Sequence, residues 1–169
     1  MDTGEATFTA WARMHQARLV RSAFLLSGSQ PQAEDLVQET LIKVAERWSR
    51  LEHENPEAYA RKVLFNSFVS WRRLKRNSTP AVAASRDLAE PDHSARIVQR
   101  ESLIAALAHL TKKQRSVLVL RYFEDLSEQQ TAEVLGVTVG TVKSHSAAAL
   151  TRLRSVTTKW EDQDASERI

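Results

Sequence analysis

The chain has 169 residues and a mass of 19.1 kDa, enough for one ordinary domain or two small ones. With 42% hydrophobic and 27% charged residues it has a globular balance, and a net charge of +3 does not by itself call for a polyanionic partner. The absence of cysteine excludes disulfides, thiol nucleophiles and thiolate zinc sites, while only four glycines and four prolines argue against a sandwich or barrel and for long helices with short joints.

None of the five histidines (His15, His53, His93, His109, His145) pairs with another at ligand spacing, so no metal or cofactor site is expected. The longest purely aliphatic run, residues 117–120, is far below the roughly 18 residues that a membrane span needs. The acidic start, Met1-Asp2-Thr3-Gly4-Glu5, carries no signal-peptide pattern. A soluble protein of a reducing compartment, without membrane contact of its own, is expected.

The first helix is predicted over 5–27, with Phe8, Trp11, Ala12, His15, Leu19 and Ala23 at helical spacing. Gly28-Ser29 ends it, and Pro31 suits the first turn of the next helix. That second helix is predicted over 31–48, burying Ala33, Leu36, Val37, Thr40, Leu41, Val44 and Trp48. Its opposite face gathers Asp35, Gln38, Glu39, Ile42 and Glu46. An isoleucine in the middle of an acidic face suits protein docking, unless it is one of the scattered apolar side chains that any surface carries.

Asn55-Pro56-Glu57 supplies a capping residue, a proline at the first helical position and an acid near the positive dipole end. The third helix, predicted over 56–76, turns Ala60, Val63, Leu64, Ser67, Trp71 and Leu74 inward and Arg61, Phe65, Phe68, Val69, Arg72 and Arg76 outward. Rings interleaved with arginines suit single-stranded nucleic acid, where bases stack and guanidinium groups hold phosphates. The other reading, preferred for Phe65 and Phe68, packs those two rings against the first helix.

Residues 77–99 lose periodicity and hold Pro80, Pro91 and the run Ala81-Val82-Ala83-Ala84-Ser85. This stretch reads as a flexible linker that divides the chain into two small helical domains, 5–76 and 100–157, followed by an acidic, disordered tail over 158–169. With no strand alternation in either part, the fold class is all-α. Charge is strongly segregated along this plan: Glu34, Asp35, Glu39, Glu46, Glu52 and Glu54 against Lys43, Arg47 and Arg50 leave −3 over 33–54. Arg61, Lys62, Arg72, Arg73, Lys75 and Arg76 give +6 over 61–76, and Lys143, Arg152 and Arg154 give +3 over 138–157, neither segment holding an acid. Two basic segments on one chain suit two contacts with an extended polyanion.

In the second domain, Leu103, Ile104, Leu107 and Leu110 resume the helical spacing, and Thr111-Lys112-Lys113-Gln114 and Ser127-Glu128-Gln129-Gln130 match the capping box. A short helix over 128–135 stops at Gly136, Thr138 caps another that runs to about Arg154, and Ala132, Val137 and Val142 close the angle between them. This is helix-turn-helix spacing, whose second helix enters the DNA major groove. Its outward side is small (Gly140, Thr141, Ser144, Ala147, Ala148, Thr151) with Lys143 and His145 at the flank. Thr141 and Lys143 suit phosphates, and Ser144 and His145 suit base edges.

The combination of Ala33-Glu34-Asp35-Leu36-Val37-Gln38-Glu39-Thr40, a basic helix with Asn66, a linker, Leu110-Thr111 with Gln114-Arg115, and Gly140-Thr141-Val142-Lys143-Ser144 resembles the extracytoplasmic-function (ECF) sigma factors of bacterial RNA polymerase. Trp11-Ala12-Arg13 and Ser70-Trp71-Arg72-Arg73 look closest to the small actinobacterial, SigE-like branch. The resemblance covers residues 5–157. It implies a sigma region 2 helical bundle and a sigma region 4 helix-turn-helix, with no catalysis of their own, acting in the cytoplasm on the nucleoid.

By the same resemblance, Asp35, Gln38, Glu39 and Ile42 would dock on the β′ clamp helices of core polymerase. Arg61, Asn66, Arg72, Arg73 and Arg76 would contact the opened −10 element, next to a base-capturing loop over 51–55. Thr138, Thr141, Lys143, Ser144 and His145 would read the duplex −35 element, with their domain resting on the β flap. An anti-sigma factor is a further implied partner. Two departures stand out, His145 where many members have arginine and Ala148 where many have a base, and they imply weaker −35 binding or a different sequence. A stand-alone helix-turn-helix regulator is the alternative, and it leaves the acidic face and the basic helix unexplained. No nucleophile–base set, phosphate loop or metal cluster supports an enzyme.

Overall fold

The computed structural model describes residues 3–70 and 91–167, with side chains over 4–70 and 99–158. Every element among these residues is a helix. Helix α1 (Thr3–Ser27) has no proline and ends at Gly28, whose φ of 71° turns the chain while its N–H still bonds the Phe24 carbonyl at 2.8 Å. Only glycine takes that conformation without cost. Helix α2 (Gln30–Ala45) follows at once, with Pro31 in its first turn.

The second helix stops short of the expected residue 48. The backbone leaves helical geometry at Arg47 (φ −117°), and Trp48 opens a separate short helix, α3 (Trp48–Leu51). The cause is long-range. Trp48 packs its ring 5.4 Å from Phe8 and 5.5 Å from Trp11, and its Nε1 donates to Thr7 Oγ1 at 2.8 Å. A straight α2 would carry the indole past α1.

Helix α4 (Pro56–Ser70) begins as its sequence predicts: Asn55 Oδ1 accepts the Ala58 N–H at 2.9 Å. Trp71, Arg72, Arg73, Leu74 and Arg76 lie outside the described residues. Helix α5 (Pro91–Ala108) starts inside the stretch expected to be linker, at the proline read there as a breaker. A proline fits the first position of a helix, and no glycine or proline follows it before Ala108. Helix α6 (Lys112–Leu118) runs into a π-helical turn (Val119–Phe123), then α7 (Glu128–Leu135) and α8 (Val139–Glu167). The tail expected to be disordered therefore continues α8, since nothing after Gly140 breaks a helix.

The core joins the two helical units. Leu26, Leu36, Val37, Val44, Leu64 and Phe65 are essentially without exposure, and Val119 and Leu120 from the π-helical turn belong to the same buried cluster, with Leu126, Val134 and Leu135 packed on it. Phe65 (0% exposed) and Phe68 (2%) are core residues, so the rings on the expected outward side of α4 are not free to stack on bases. Leu107, Leu110, Leu118 and Ala149 form a second cluster, and Val117, Ala132 and Val142 a third.

Candidate nucleic-acid interface

The helix-turn-helix is built from local signals. Ser127 Oγ accepts the Gln130 N–H at 3.1 Å, and the Gln130 side chain accepts the Ser127 N–H at 2.9 Å, closing the capping box at the start of α7. Thr111 and Gln114 do the same for α6. Helix α7 ends at Gly136 (φ 64°), after which the Val137 N–H bonds the Ala132 carbonyl at 3.1 Å. Thr138 Oγ1 then accepts the Thr141 N–H at 3.2 Å and lies 2.9 Å from the Thr141 hydroxyl, capping α8. Ala132 and Val142, both buried against Val117, set the angle between the two helices.

On α8, Gly140, Lys143, Ser144, Ala147, Ala148 and Thr151 are exposed, while Thr141 and His145 are half-buried. This face can approach a groove closely because it carries almost no bulk. Lys143 Nζ stands 3.7 Å from Glu128 Oε2, with both side chains solvated. Such a pair is worth well under about 1 kcal/mol and yields readily to a phosphate.

On α2, Asp35, Gln38 and Ile42 are exposed on one face and Glu39 is half-buried among them, with Ile42 at 59%. Glu39 Oε1 accepts from Lys43 Nζ at 2.6 Å and from Ser67 Oγ at 3.1 Å. Lys43 in particular, with Ser67, holds the carboxyl below its ordinary range against partial desolvation, so the face keeps its negative charge.

Two of the residues expected at opened DNA are engaged internally. Arg61 is largely covered, its side chain 16% exposed, with NH2 2.9 Å from Glu57 Oε1 and Nε 3.3 Å from Glu124 Oε2. Asn66 Nδ2 donates to the Lys62 carbonyl at 2.8 Å and to the Val134 carbonyl at 3.0 Å. Arg61 is therefore not on a free outward side: the second unit covers it. Arg72, Arg73 and Arg76 lie outside the described residues. Arg18, Glu124 and Arg115 were not legible in the sequence as partners across the units, because those contacts lie 63 to 106 positions away along the chain. The loop between α3 and α4 exposes His53, Glu54 and Asn55.

Among the described residues, no helix is long and apolar enough to cross a membrane, and no group of three histidine or acidic side chains could hold a metal ion.

Comparison with known proteins agrees on both halves of the chain. Residues 6–78 match the model of Sigma-70 region 2, and residues 100–153 match that of Sigma-70 region 4. The chain is 35% identical to the RNA polymerase sigma-E factor of Streptomyces avermitilis, over 87% of this chain and 83% of that one. It is also 35% identical to the ECF RNA polymerase sigma factor SigL of Mycobacterium tuberculosis, over 83% and 82% of the two chains. Among solved structures it resembles the sigma factor RpoE in complex with the anti-sigma factor NepR from Bartonella quintana, with 27% identity, a TM-score of 0.67, and coverage of 90% of this chain and 97% of that one.

Proposed function

Because the chain belongs to the ECF sigma factors of bacterial RNA polymerase, we propose that its exposed α2 face grips core polymerase while α4 and α8 hold the two promoter elements. As a sigma factor, it binds core RNA polymerase, directs it to specific promoters and promotes initiation. In this reading Asp35, Gln38, Glu39 and Ile42 dock on the β′ clamp helices, an apolar centre ringed by charge and amide groups. Arg61 and Asn66, with Arg72, Arg73 and Arg76, take the −10 strand once it is opened. Thr138, Thr141, Lys143, Ser144 and His145 meet the −35 duplex, and their domain rests on the β flap. Residues 5–76 and 100–157 are then the two working domains, connected through 77–99, whose last nine residues belong to α5, and 158–169 is an acidic extension.

RNA synthesis stays with the polymerase, so the sigma factor contributes binding energy alone. Opening DNA costs about 1.4 kcal/mol of stacking per base-pair step. Contacts to unpaired bases and phosphates offset that cost, which is why Arg61, Arg72, Arg73 and Arg76 matter even where they carry no sequence information. Initiation takes place on the nucleoid in the cytoplasm, and an anti-sigma factor like the partner of the Bartonella relative fits the same scheme.

The observation that carries this reading is the exposed Ile42 among Asp35, Gln38 and Glu39, on the same chain as a helix-turn-helix with a small-residue outer face. A stand-alone operator-binding regulator needs the second feature and leaves the first without a role. Run-off transcription with core polymerase and a genomic promoter library tests it. The expected result is a discrete set of transcripts whose promoters share −35 and −10 sequences; transcripts no different from those of core polymerase alone would overturn it.

A further inference from the structure

Helix α1 has a face that the proposed function leaves unused. Ala10, Arg13, Met14, Ala17 and Arg21 share one side of the helix and are all exposed, Met14 at 77%. After Glu5 the helix carries three arginines and no acid. Arg18 is turned to Glu57 and Glu124, whereas Arg13 and Arg21 hold no ion pair among the described residues. The stripe is therefore basic, with one large apolar side chain between two uncompensated cations. An exposed methionine alone would be ordinary; what gives this one meaning is its counterpart.

Helix α2 carries the opposite pattern. Ile42, 59% exposed, is the large apolar side chain on a face that also exposes Asp35, Gln38 and Glu46. Asp35 and Glu46 hold no ion pair among the described residues. The two faces match in register as well as in charge. Met14 lies fourteen residues before Gly28 and Ile42 fourteen after it, while Arg21 lies seven before and Asp35 seven after. Seven residues make about two turns, so each charge shares a face with its apolar neighbour and stands about 10.5 Å from it along the axis. One antiparallel register thus sets Met14 on Ile42 and Arg21 beside Asp35, with Arg13 within a turn of Glu46. Within one chain the stripes cannot meet, because α1 and α2 already face each other through the buried sides that hold Leu19, Leu26, Leu36 and Val37.

We propose that these faces bind a second copy of the chain, the basic stripe of α1 on one protomer seated on the acidic stripe of α2 on its partner. Ala10 and Ala17 let the two helices approach closely, and opposite charges around an apolar centre fix which residue meets which. The contact covers Asp35 and Ile42, so a paired chain withholds its α2 face from core polymerase. That consequence rests on the proposed function, and the pairing itself does not.

Sedimentation velocity of the 169-residue chain tests the pairing without DNA or polymerase. The sedimentation coefficient is expected to rise over roughly 1–100 μM, the affinity range of a small interface. The rise should shrink in about 1 M salt, where screening reaches about 3 Å. Arg13→Gln with Met14→Gln and Arg21→Gln removes one stripe; Asp35→Asn with Ile42→Gln and Glu46→Gln removes the other. All six positions are exposed, so circular dichroism is expected to be unchanged. Each triple variant alone is expected to lose about tenfold or more in self-association. An equimolar mixture is expected to recover a one-to-one complex, because each variant supplies the stripe that the other lacks. A chain that stays monomeric throughout, a triple variant that associates undiminished, or a mixture that stays monomeric would overturn the pairing. A monomeric chain whose α1 variant also loses run-off transcription would overturn it too, and would give the basic stripe to polymerase or promoter DNA. At concentrations above the association midpoint, the α1 variant is expected to bind core polymerase more tightly than the unaltered chain. Equal binding there would overturn the withholding of α2, while sedimentation still judges the pairing.

Discussion

Phe65 carries no exposed surface and sits among Leu26, Leu36 and Leu64. Truncating it should cost about 3–5 kcal/mol of stability, the usual loss for a buried phenylalanine, read as a lowered urea midpoint for Phe65→Ala. A ring that served to stack on DNA would instead leave the midpoint unmoved and weaken strand binding alone. Gly136 makes the opposite kind of argument. A Cβ there would meet nothing within 4 Å, yet φ is 64°. Gly136→Ala should therefore lose about 1–2 kcal/mol through backbone strain only, lowering the thermal midpoint without a change in the helix-turn-helix contacts.

At the scale of elements, α2 divides its work between two faces. Ala33, Leu36, Val37, Thr40 and Val44 are buried, and the face across from them keeps Asp35, Gln38 and Ile42 in solvent. Charge reversal of the two acids on this side of α2, exposed Asp35→Lys with half-buried Glu39→Lys, should leave the helices folded and abolish competition with another sigma factor for core polymerase, measured by fluorescence anisotropy of a labelled competitor. Undiminished competition would remove α2 from the interface. The helices whose ends are set within three or four residues were legible in the sequence: Asn55 capping α4, the Thr111 and Ser127 boxes, Gly136, and the small outer face of α8. Trp48 was not, because the break before it answers to Phe8 and Trp11 some forty residues earlier. The start of α5 at Pro91 was misread for a different reason. A proline ends one helix or begins the next, and composition alone does not say which.

For the whole molecule, the net charge of +3 resolves into two basic segments and one acidic segment. The plan of two units was legible from the loss of periodicity after residue 76. Their association was not, since Arg61 reads as an outward cation until Glu124, 63 residues on, is brought against it. The shared core of Val119 and Leu120 with Leu64 and Phe65 ties the two units together. The proposed function requires the chain to act through polymerase and not alone. The most direct measurement is the fluorescence of 2-aminopurine placed in the −10 element of a promoter found by run-off transcription, with core polymerase, with this chain, and with both. A rise from base unstacking is expected only when both are present, reduced by Arg61→Ala. A comparable rise with either component by itself would contradict it.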